Sequence, residues 1–455
     1  MSETNTQQWH PLSWKNKPVQ QLPSYPDQNL LDQKFNELKS LPPLVTSWEI
    51  EQLRDKLKQV GRGEAFILQG GDCAESFDRC TDSVIVNSLK VMLQMSLVMI
   101  HEMDIPLVRI ARLAGQYAKP RSNDTEIVDG VELPTYRGDL INGFEPTLEA
   151  RQPDPNRLIE GYQRSGLTLN FIRSLTESSG FADLHHPEYW ELDFMRQNKY
   201  YKEYKALIDS ITRSIKFVES ISPNRILSLK QVNFYTSHEA LNLYYEAAQT
   251  RKVPHRNGFF NLSAHMVWLG NRTRDLKSGH VEYLKGIQNP IGIKVGPPYE
   301  IDDILKLIET LNPKNEEGKI VLISRYGRSK IGDMLPKMIR EVTKTGQNVI
   351  WTCDPMHGNT FSTDDSIKTR NFDDIIDEIK QTFQIHKAES SRLKGVHLEL
   401  TGNEVTECVG GATGLDAEGL KDHYESYCDP RLNYEQSLEM AFLISQEWKN
   451  YKKVD

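Results

Sequence analysis

Eight short apolar runs recur along this chain, and polar or charged residues follow each of them directly. Segments with helical patterns separate most of the runs. Short apolar strands that alternate with helices indicate an α/β protein with a parallel sheet. Eight such strands predict a (β/α)8 TIM barrel, which presents its chemistry at the carboxyl ends of the strands. The runs lie at residues 66–68, 107–108, 232–235, 259–260, 291–293, 321–323, 349–350 and 396–400.

An open, doubly wound sheet is the alternative that the same pattern allows. Its dinucleotide-binding form carries G-x-G-x-x-G after an early strand, because the glycines let the backbone approach a pyrophosphate. No such motif follows an early strand candidate in this chain. The barrel is therefore the preferred prediction.

Two regions exceed a minimal barrel. Residues 1–60 precede the first strand and form an N-terminal extension, with a predicted helix over 48–60. The barrel is predicted over 61–455, with an accessory helical insert at about 123–230, after the second strand. This insert is too long for one connection, since such loops run about 2–6 residues. Helical patterns over 158–175 and 204–220 predict that the insert forms an accessory helical layer. Such a layer supports subunit contacts or an effector site, or it serves only as structural scaffold.

Charge and cysteine content disfavour several classes of protein. The net charge of −8 argues against a nucleic-acid binder, because a phosphate backbone needs a basic face. Five cysteines without a C-x-x-C pair favour a reducing cytoplasm over a disulfide-stapled secreted fold. The first residues, M-S-E-T-N-T-Q-Q-W-H, show no secretion signal. Polar residues interrupt the apolar stretch 84–100, so we expect a helix packed on the barrel and no membrane span.

The polar turn in W-T-C-D-P-M-H-G-N-T holds His357, directly after a predicted strand. In a barrel, His357 would meet three other donors near strand ends, namely Cys73, Glu399 and Asp429. Such S, N and O donors suit one borderline divalent ion (Mn²⁺, Fe²⁺, Co²⁺ or Zn²⁺) and not Ca²⁺ or Mg²⁺. Taken singly, each residue also fits an ordinary role as a core thiol, a satisfied histidine or a surface carboxylate. His397 shares a strand face with Glu399, and is either an alternative ligand or a partner of the ligands.

Cationic residues also gather near the predicted strand ends. Arginine forks bind phosphate and carboxylate oxygens in pairs, so such a cluster on an acidic protein indicates anionic ligands. Rim salt bridges are the alternative, but Lys294 lies inside the apolar run I-G-I-K-V-G-P, where an unpaired charge is costly. The cluster comprises Arg109, Arg112, Lys119, Arg121, Arg272, Arg274, Lys294 and Arg325.

Seven longer motifs carry a family resemblance. They are L-Q-G-G-D-C-A-E-S-F (68–77), R-L-A-G-Q-Y-A-K-P-R-S (112–122), Y-R-G-D-L-I-N-G (136–143), N-P-I-G-I-K-V-G-P (289–297), D-P-M-H-G-N-T (354–360), H-L-E-L-T-G-N-E-V-T-E-C-V-G-G (397–411) and Y-C-D-P-R-L-N (427–433). Together they resemble the type II 3-deoxy-D-arabino-heptulosonate 7-phosphate (DAHP) synthases. The leading W-K-N-K-P-V-Q-Q-L-P-S-Y-P-D resembles that family too, so the likeness covers nearly the whole chain.

The resemblance implies an enzyme that condenses phosphoenolpyruvate with erythrose 4-phosphate and water, giving DAHP and phosphate, at the start of the shikimate pathway. It implies one divalent metal, with Mn²⁺ as the first expectation, on Cys73, His357, Glu399 and Asp429. The catalytic residues would be Lys119, Arg112, Lys294 and His357. Phosphoenolpyruvate would contact Arg112, Lys119, Asn271, Arg272, Lys294 and Arg325. Erythrose 4-phosphate would contact Lys119, Pro120, Arg121 and Ser122.

One motif departs from the family pattern. The segment 270–274 is G-N-R-T-R where the family usually has G-E-R-T-R, so Asn271 stands in place of a glutamate. A backbone role at this position tolerates the change. A carboxylate role would alter activity or substrate, which keeps open an amino or other aldose phosphate and a specialised aromatic pathway. A non-catalytic regulatory barrel is the remaining alternative.

Further expectations concern proton transfer, redox chemistry and partners. The base that activates water is left open among Lys119, His357 and a carboxylate. Cys428 is a candidate to form a disulfide with Cys73 in metal-free protein. We also expect a homodimer or homotetramer, an aromatic feedback ligand and, as a candidate partner, a chorismate mutase.

Overall fold

Eight parallel strands close into a barrel, as the alternating pattern predicts. The structure is a computed structural model, and it describes residues 8–178, 180–190, 200–221 and 232–452. The barrel order is β1-β14-β11-β10-β9-β8-β5-β2, so the TIM barrel is confirmed and the open sheet is excluded. In chain order the strands are β1 (Phe66–Gly71), β2 (Leu107–Arg112), β3 (Thr125–Val128), β4 (Val131–Pro134), β5 (Tyr235–Glu239), β6 (Thr250–Lys252), β7 (Phe259–Asn261), β8 (Met266–Leu269), β9 (Ile291–Val295), β10 (Ile320–Ser324), β11 (Val349–Cys353), β12 (Thr360–Ser362), β13 (Lys368–Arg370) and β14 (Leu393–Glu399).

Two of the eight strand predictions are wrong in position. The apolar run 259–260 falls in β7, which pairs antiparallel with β6 outside the barrel, and the fourth barrel strand is β8. The third barrel strand is β5, which starts where the predicted run 232–235 ends. Polar residues of β5 are buried because they find partners: Ser237 Oγ receives a hydrogen bond from Gln69, and His238 Nε2 lies 2.8 Å from Glu246 Oε1. An apolar pattern cannot reveal such a strand.

Helices surround the barrel, and α2 closes its amino-terminal end. Thr46 and Glu49 form a capping box at the start of this helix. Its Leu53, Leu57 and Val60 are fully buried against the side chains that fill the barrel interior. The open end of the barrel is therefore the carboxyl end of the strands. The helices are α1 (Gln28–Ser40), α2 (Ser47–Arg62), α3 (Asp82–Met103), α4 (Leu148–Arg151), α5 (Asn156–Arg173), α6 (Tyr201–Ile221), α7 (Leu243–Ala248), α8 (Gly279–Leu284), α9 (Ile301–Leu311), α10 (Ile331–Thr345), α11 (Phe372–Ala388) and α12 (Tyr434–Lys452).

The apolar stretch 84–100 forms most of α3, and this helix packs on the barrel. By length and composition alone α3 could cross a membrane, but 61% of its most apolar window is buried inside the protein. It lies against β1, β2 and α12, within the largest hydrophobic cluster. Among the described residues no other helix meets the same length and composition test.

The extension and the insert contact each other beside the barrel. From the extension, α1 packs on α5 of the insert and on α7. The insert also holds the β3–β4 hairpin, α4 and α6. Residues 1–7 of the extension and 179, 191–199 and 222–230 of the insert lie outside the described residues. The proposed role of these regions in subunit contacts or effector binding stays a prediction.

Candidate active site

Three of the four predicted metal ligands lie together at the carboxyl ends of the strands. Donor atoms of His357, Glu399 and Asp429 all lie within 4.8 Å of one another. Cys73 is adjacent, since the backbone N–H of Asp429 points at its Sγ at 3.5 Å. Barrel closure produces this cluster, because Glu399 ends β14 while Cys73 and His357 follow the neighbouring strands β1 and β11.

The imidazole of His357 is oriented for a ligand role. Asp354 Oδ2 lies 2.7 Å from Nδ1, and Nε2 faces Glu399 Oε1 at 3.0 Å. The tautomer with its hydrogen on Nδ1 would donate to Asp354 and keep Nε2 as a metal donor. Burial lowers the pKa of His357, and the neighbouring carboxylates Asp354 and Glu399 only partly oppose this shift. In that tautomer a divalent cation between Nε2 and Oε1 would offset the repulsion of two acceptor atoms. The side chains therefore fit a divalent metal, with Asp354 as the carboxylate that orients the histidine.

Charges around the cluster favour the ligand forms of the acid groups. Burial alone would raise the pKa of Asp429, but Lys119, Arg370 and Lys368 outweigh it and hold that pKa well below its usual range. The ammonium groups of Lys119 and Lys368 both contact the Asp429 carboxylate. Cys73 is buried, yet a hydrogen bond with Cys428 and the charge of Lys119 lower the pKa of its thiol to about 7. A thiolate is the form that binds metal.

Two buried arginines clamp Glu399. Arg112 Nη2 donates to Glu399 Oε1 at 2.9 Å, and Arg370 Nη2 lies 2.7 Å from Oε2. Arg112 Nη1 also lies 2.6 Å from His397 Nε2, whose imidazole is kept neutral because burial holds its pKa well below the usual value. His397 is therefore a partner of Arg112 and does not join the ligand group. The sequence pattern did not single out Arg370, because it lies at the end of the short outer strand pair β12–β13.

The six residues predicted for phosphoenolpyruvate line one cavity of about 150 Å³ beside this cluster. At its floor, the Trp268 ring lies 5.2 Å from the Arg112 guanidinium and 5.5 Å from Lys294 Nζ. Burial lowers the pKa of Lys294 to about 8, although Asp354, 3.0 Å away, opposes the shift. The lining residues from the prediction are Arg112, Lys119, Asn271, Arg272, Lys294 and Arg325.

A second cavity of about 210 Å³ adjoins the first. It is lined by the predicted residues Lys119, Pro120, Arg121 and Ser122 of the K-P-R-S segment. Arg272 and Lys368 line both cavities, and Arg272 Nη2 donates to Ser122 Oγ at 2.9 Å. Lys368, on β13, is a cation of this site that the sequence pattern did not indicate.

Two cations of the predicted cluster lie elsewhere. Arg109 faces outward from β2 and donates from Nε to Ser96 Oγ of α3 at 2.8 Å, and burial lowers its pKa to about 10. Arg109 and Arg112 are three residues apart on one strand, so their side chains point to opposite faces. Arg274 donates to the backbone oxygens of Gly296 and Pro298 and does not line either cavity.

Asn271, the departure in the G-N-R-T-R segment, holds a neighbouring loop. Its Oδ1 accepts from the backbone N–H of Gly296 at 2.9 Å and from Arg274 Nε at 3.2 Å. Gly296 follows β9, the strand that carries Lys294. The amide oxygen of Asn271 therefore joins the loops after β8 and β9.

Buried glutamates fasten the loops that carry the site. Glu75 accepts three backbone N–H groups from residues 114–116, which begin the loop leading to Lys119. Glu378 of α11 accepts the N–H groups of Tyr326 and Gly327, which follow Arg325. Glu407 accepts backbone N–H groups from the loop that presents Asp429. A sequence pattern does not separate these glutamates from surface ones, because their donors are distant along the chain.

A parallel barrel with a His–Glu–Asp cluster beside two joined cationic cavities is typical of barrel enzymes that bind a metal ion and anionic substrates. Residues 9–445 match the sequence model of the Class-II DAHP synthetase family. A phospho-2-dehydro-3-deoxyheptonate aldolase of Neurospora crassa is 47% identical over 465 aligned positions, covering 99% of this chain and 96% of the relative. A Streptomyces coelicolor protein with the same name is 44% identical over 438 positions, covering 96% and 97%. The chain belongs to the class-II DAHP synthetase family, and it is a 3-deoxy-7-phosphoheptulonate synthase.

Proposed function

We propose that the two joined cavities bind phosphoenolpyruvate and erythrose 4-phosphate side by side, at a divalent metal held by Cys73, His357, Glu399 and Asp429. The observation that carries this assignment is the shared lining of the cavities. Lys119, Arg272, Lys368 and Asp429 line both, so two anions bound there would meet next to the ligand cluster. The products are DAHP and inorganic phosphate.

Phosphoenolpyruvate belongs to the cavity of about 150 Å³. Its phosphate and carboxylate carry more negative charge than erythrose 4-phosphate, and this cavity has the larger share of buried cations. Arg112 and Lys294 are nearly fully buried there, so each would bind an anion with little competition from water. Arg325 lies at the same wall, tied to the backbone oxygen of His357 at 3.2 Å. Fixing the enol between these cations holds its C3 towards the second cavity.

Erythrose 4-phosphate belongs to the cavity of about 210 Å³, with its phosphate on Arg121 and Ser122. We add Lys368 and Arg272 to this phosphate site because both line the cavity. This arrangement directs the aldehyde end of the sugar towards Lys119 and the ligand cluster. When bound, the divalent ion supplies a Lewis acid for the aldehyde oxygen. Mn²⁺ is the proposed ion, with Co²⁺, Fe²⁺ and Zn²⁺ as alternatives for this mixed donor set.

The test is consumption of phosphoenolpyruvate by chelator-stripped protein, with and without added Mn²⁺ or Co²⁺. We expect consumption only when erythrose 4-phosphate and a metal are both present, with release of one phosphate for each enolpyruvate consumed. Folded protein that consumes nothing with any metal would contradict the proposal for these substrates. Amino or other aldose phosphates would then be tried, and after those the regulatory-barrel alternative.

We further propose a cytoplasmic homodimer or homotetramer with an aromatic feedback ligand and, as a candidate partner, a chorismate mutase. Large apolar side chains support subunit contacts: Trp48 of α2 and Leu167 of α5 are 69% and 60% exposed. Light scattering on the purified protein tests the subunit number. Inhibition assays with phenylalanine, tyrosine and tryptophan, each with and without a chorismate mutase, test the ligand and the partner.

A redox hypothesis concerns Cys73 and Cys428. Both are free thiols, and the neighbouring Cys428 contributes to the lowered pKa of the Cys73 thiol. We propose that they form a disulfide when the metal is removed under oxidising conditions. Iodoacetamide labelling of both cysteines should then fall, and labelling that stays unchanged would contradict the hypothesis.

A further inference from the structure

Glu239, the last residue of β5, lines the phosphoenolpyruvate cavity, and neither the proposed metal site nor the proposed substrate contacts include it. Among the described residues that line this cavity, the carboxylates are Glu239 and Asp429. Asp429 is engaged by Lys119 and Lys368 within the ligand cluster. Glu239 is therefore the carboxylate of this cavity that lies outside the proposed metal site.

Neighbouring loops fix the position of Glu239. Its backbone N–H donates to Gln116 Oε1 at 2.9 Å, which fixes the end of β5 against the loop after β2. Its carboxyl group lies against Gly270, where an added β-carbon would come within 1.9 Å of Oε1. A side chain at residue 270 would therefore displace this carboxyl group from its position. The carboxyl group is held at the start of the segment that carries Arg272.

One oxygen of this carboxyl group is buried without a partner. Oε1 of Glu239 has no hydrogen bond to any described residue, although it is shielded from solvent. Buried polar atoms in folded proteins are almost always paired. The residue as a whole is partly exposed, into the cavity that it lines. A ligand in the cavity, or a water molecule held by it, is the available partner.

Four cations face Glu239 and keep it suited to proton transfer. They are Lys294 of β9, Arg112 of β2, Lys119 in the loop after β2 and Arg272 after β8. Burial raises the pKa of Glu239, while these charges oppose the rise. A carboxylate balanced in this way accepts a proton more readily than an exposed one and still releases it.

We propose that Glu239 is the catalytic residue that takes a proton from the water adding to C2 of phosphoenolpyruvate. The proposal deepens the proposed function and rests on it. As the enol electrons form the new C–C bond at C3, C2 becomes electron-poor. The water oxygen bonds to C2 while one of its O–H bonds breaks, and that proton passes to Glu239. The proton then returns to the alkoxide formed from the aldehyde.

The remaining proton accounts for phosphate release. The C2–O bond to phosphate breaks, and phosphate leaves with the bonding electrons. The C2 hydroxyl loses its hydrogen as the ketone forms, and this second proton goes to the phosphate. Both hydrogens of the added water are thereby placed, and no oxidant or reductant is required.

The first test is Glu239→Gln, which keeps the shape of the side chain and removes its basicity. We expect kcat to fall by roughly 100- to 10,000-fold, the usual contribution of a positioned acid or base. The affinities for phosphoenolpyruvate and Mn²⁺, measured by calorimetry, should stay within about threefold. A threefold change corresponds to less than about 1 kcal/mol of binding free energy. A kcat close to that of the wild type, or a loss explained entirely by weaker phosphoenolpyruvate binding, would overturn the proposal.

The second test is chemical rescue of Glu239→Ala. The removed carboxyl group leaves space beside Gly270, and formate supplies a small carboxylate base for it. Formate should raise kcat of Glu239→Ala, whereas chloride at equal ionic strength should not, and formate should not accelerate wild type or Glu239→Gln. Absence of rescue in a folded variant would count against Glu239 as a base. Wild-type protein assayed in parallel separates this result from failure of the proposed function, in which case wild type also consumes no phosphoenolpyruvate.

Discussion

Replacing Glu407 with glutamine should destabilise the barrel and weaken metal binding together. Glu407 is fully buried and pairs with Arg431, which is 1% exposed. Its Oε2 accepts from the backbone N–H and the Nε of Arg431 at 2.7 and 3.0 Å. Its Oε1 accepts from Arg431 Nη2 at 2.6 Å and from the N–H of Ser426 at 2.9 Å. These bonds fold the segment 425–431 around Asp429, a proposed ligand.

The expected size follows from these contacts. Breaking a buried ion pair by removing one partner costs about 3–5 kcal/mol, because a charge stays buried without compensation. Asp72 also pairs with Arg431, at 3.0 Å, and keeps part of that compensation. We therefore expect Glu407→Gln to lower the free energy of unfolding by about 3 kcal/mol, the lower end of that range. Loss of such a supporting partner typically weakens metal binding by about 10- to 100-fold.

Urea denaturation and Mn²⁺ titration by calorimetry measure the two effects. Glu404→Gln is the matched control: it lies in the same motif but is exposed, so its effect on stability should stay within about 0.5 kcal/mol. The reasoning is refuted if Glu407→Gln unfolds like the control and binds Mn²⁺ as tightly as wild type. Lower stability with unchanged Mn²⁺ affinity would refute the link between this carboxylate and Asp429.

Three further predictions test single residues of the site. Asn271→Glu should change kcat/KM for phosphoenolpyruvate by less than about tenfold, or 1.4 kcal/mol, because a glutamate oxygen can also accept from the N–H of Gly296. A larger loss in steady-state assays would assign a role to the amide nitrogen of Asn271. Lys368→Met should tighten Mn²⁺ binding, measured by calorimetry without substrates, because the lysine ammonium no longer competes for the Asp429 carboxylate. The same substitution should raise KM for erythrose 4-phosphate. Weaker Mn²⁺ binding would contradict the proposed competition. The pKa of Lys294 is lowered to about 8, so the affinity for phosphoenolpyruvate should fall as pH rises above that value. Lys294→Arg should abolish this pH dependence, because arginine stays protonated. Wild-type affinity that does not change with pH would contradict the prediction.

The alternation of apolar runs and helical segments was sufficient to determine the fold class. Residues of a barrel strand are buried on both sides, by the interior and by the helices, so a strand such as Ile320–Ser324 appears as a short continuous apolar run. The chain then turns polar at the strand end, where the barrel opens. The same logic placed Lys294 and His357 near the site, because both lie at or just after a strand end.

The same logic failed where local composition misrepresented the fold. Strand β5 reads as polar, and it is buried because Ser237 and His238 are satisfied by residues outside the strand. The apolar pair at 259–260 looks like a barrel strand, but pairs with β6 outside the barrel. Arg109 and Arg112 are close in sequence, although the pleat of β2 turns Arg109 towards α3.

Sequence by itself therefore determined the barrel, the family motifs and the residue types available for chemistry, because those depend on local burial and local order along the chain. Only the tertiary structure decided which groups meet. Pairing of β14 with β11 brings Glu399 beside His357, and the outer β12–β13 pair brings Lys368 to Asp429. The fold also leaves Oε1 of Glu239, beside a cationic cavity, without a hydrogen-bond partner among the described residues. Such contacts join residues that are far apart along the chain, which no local pattern encodes.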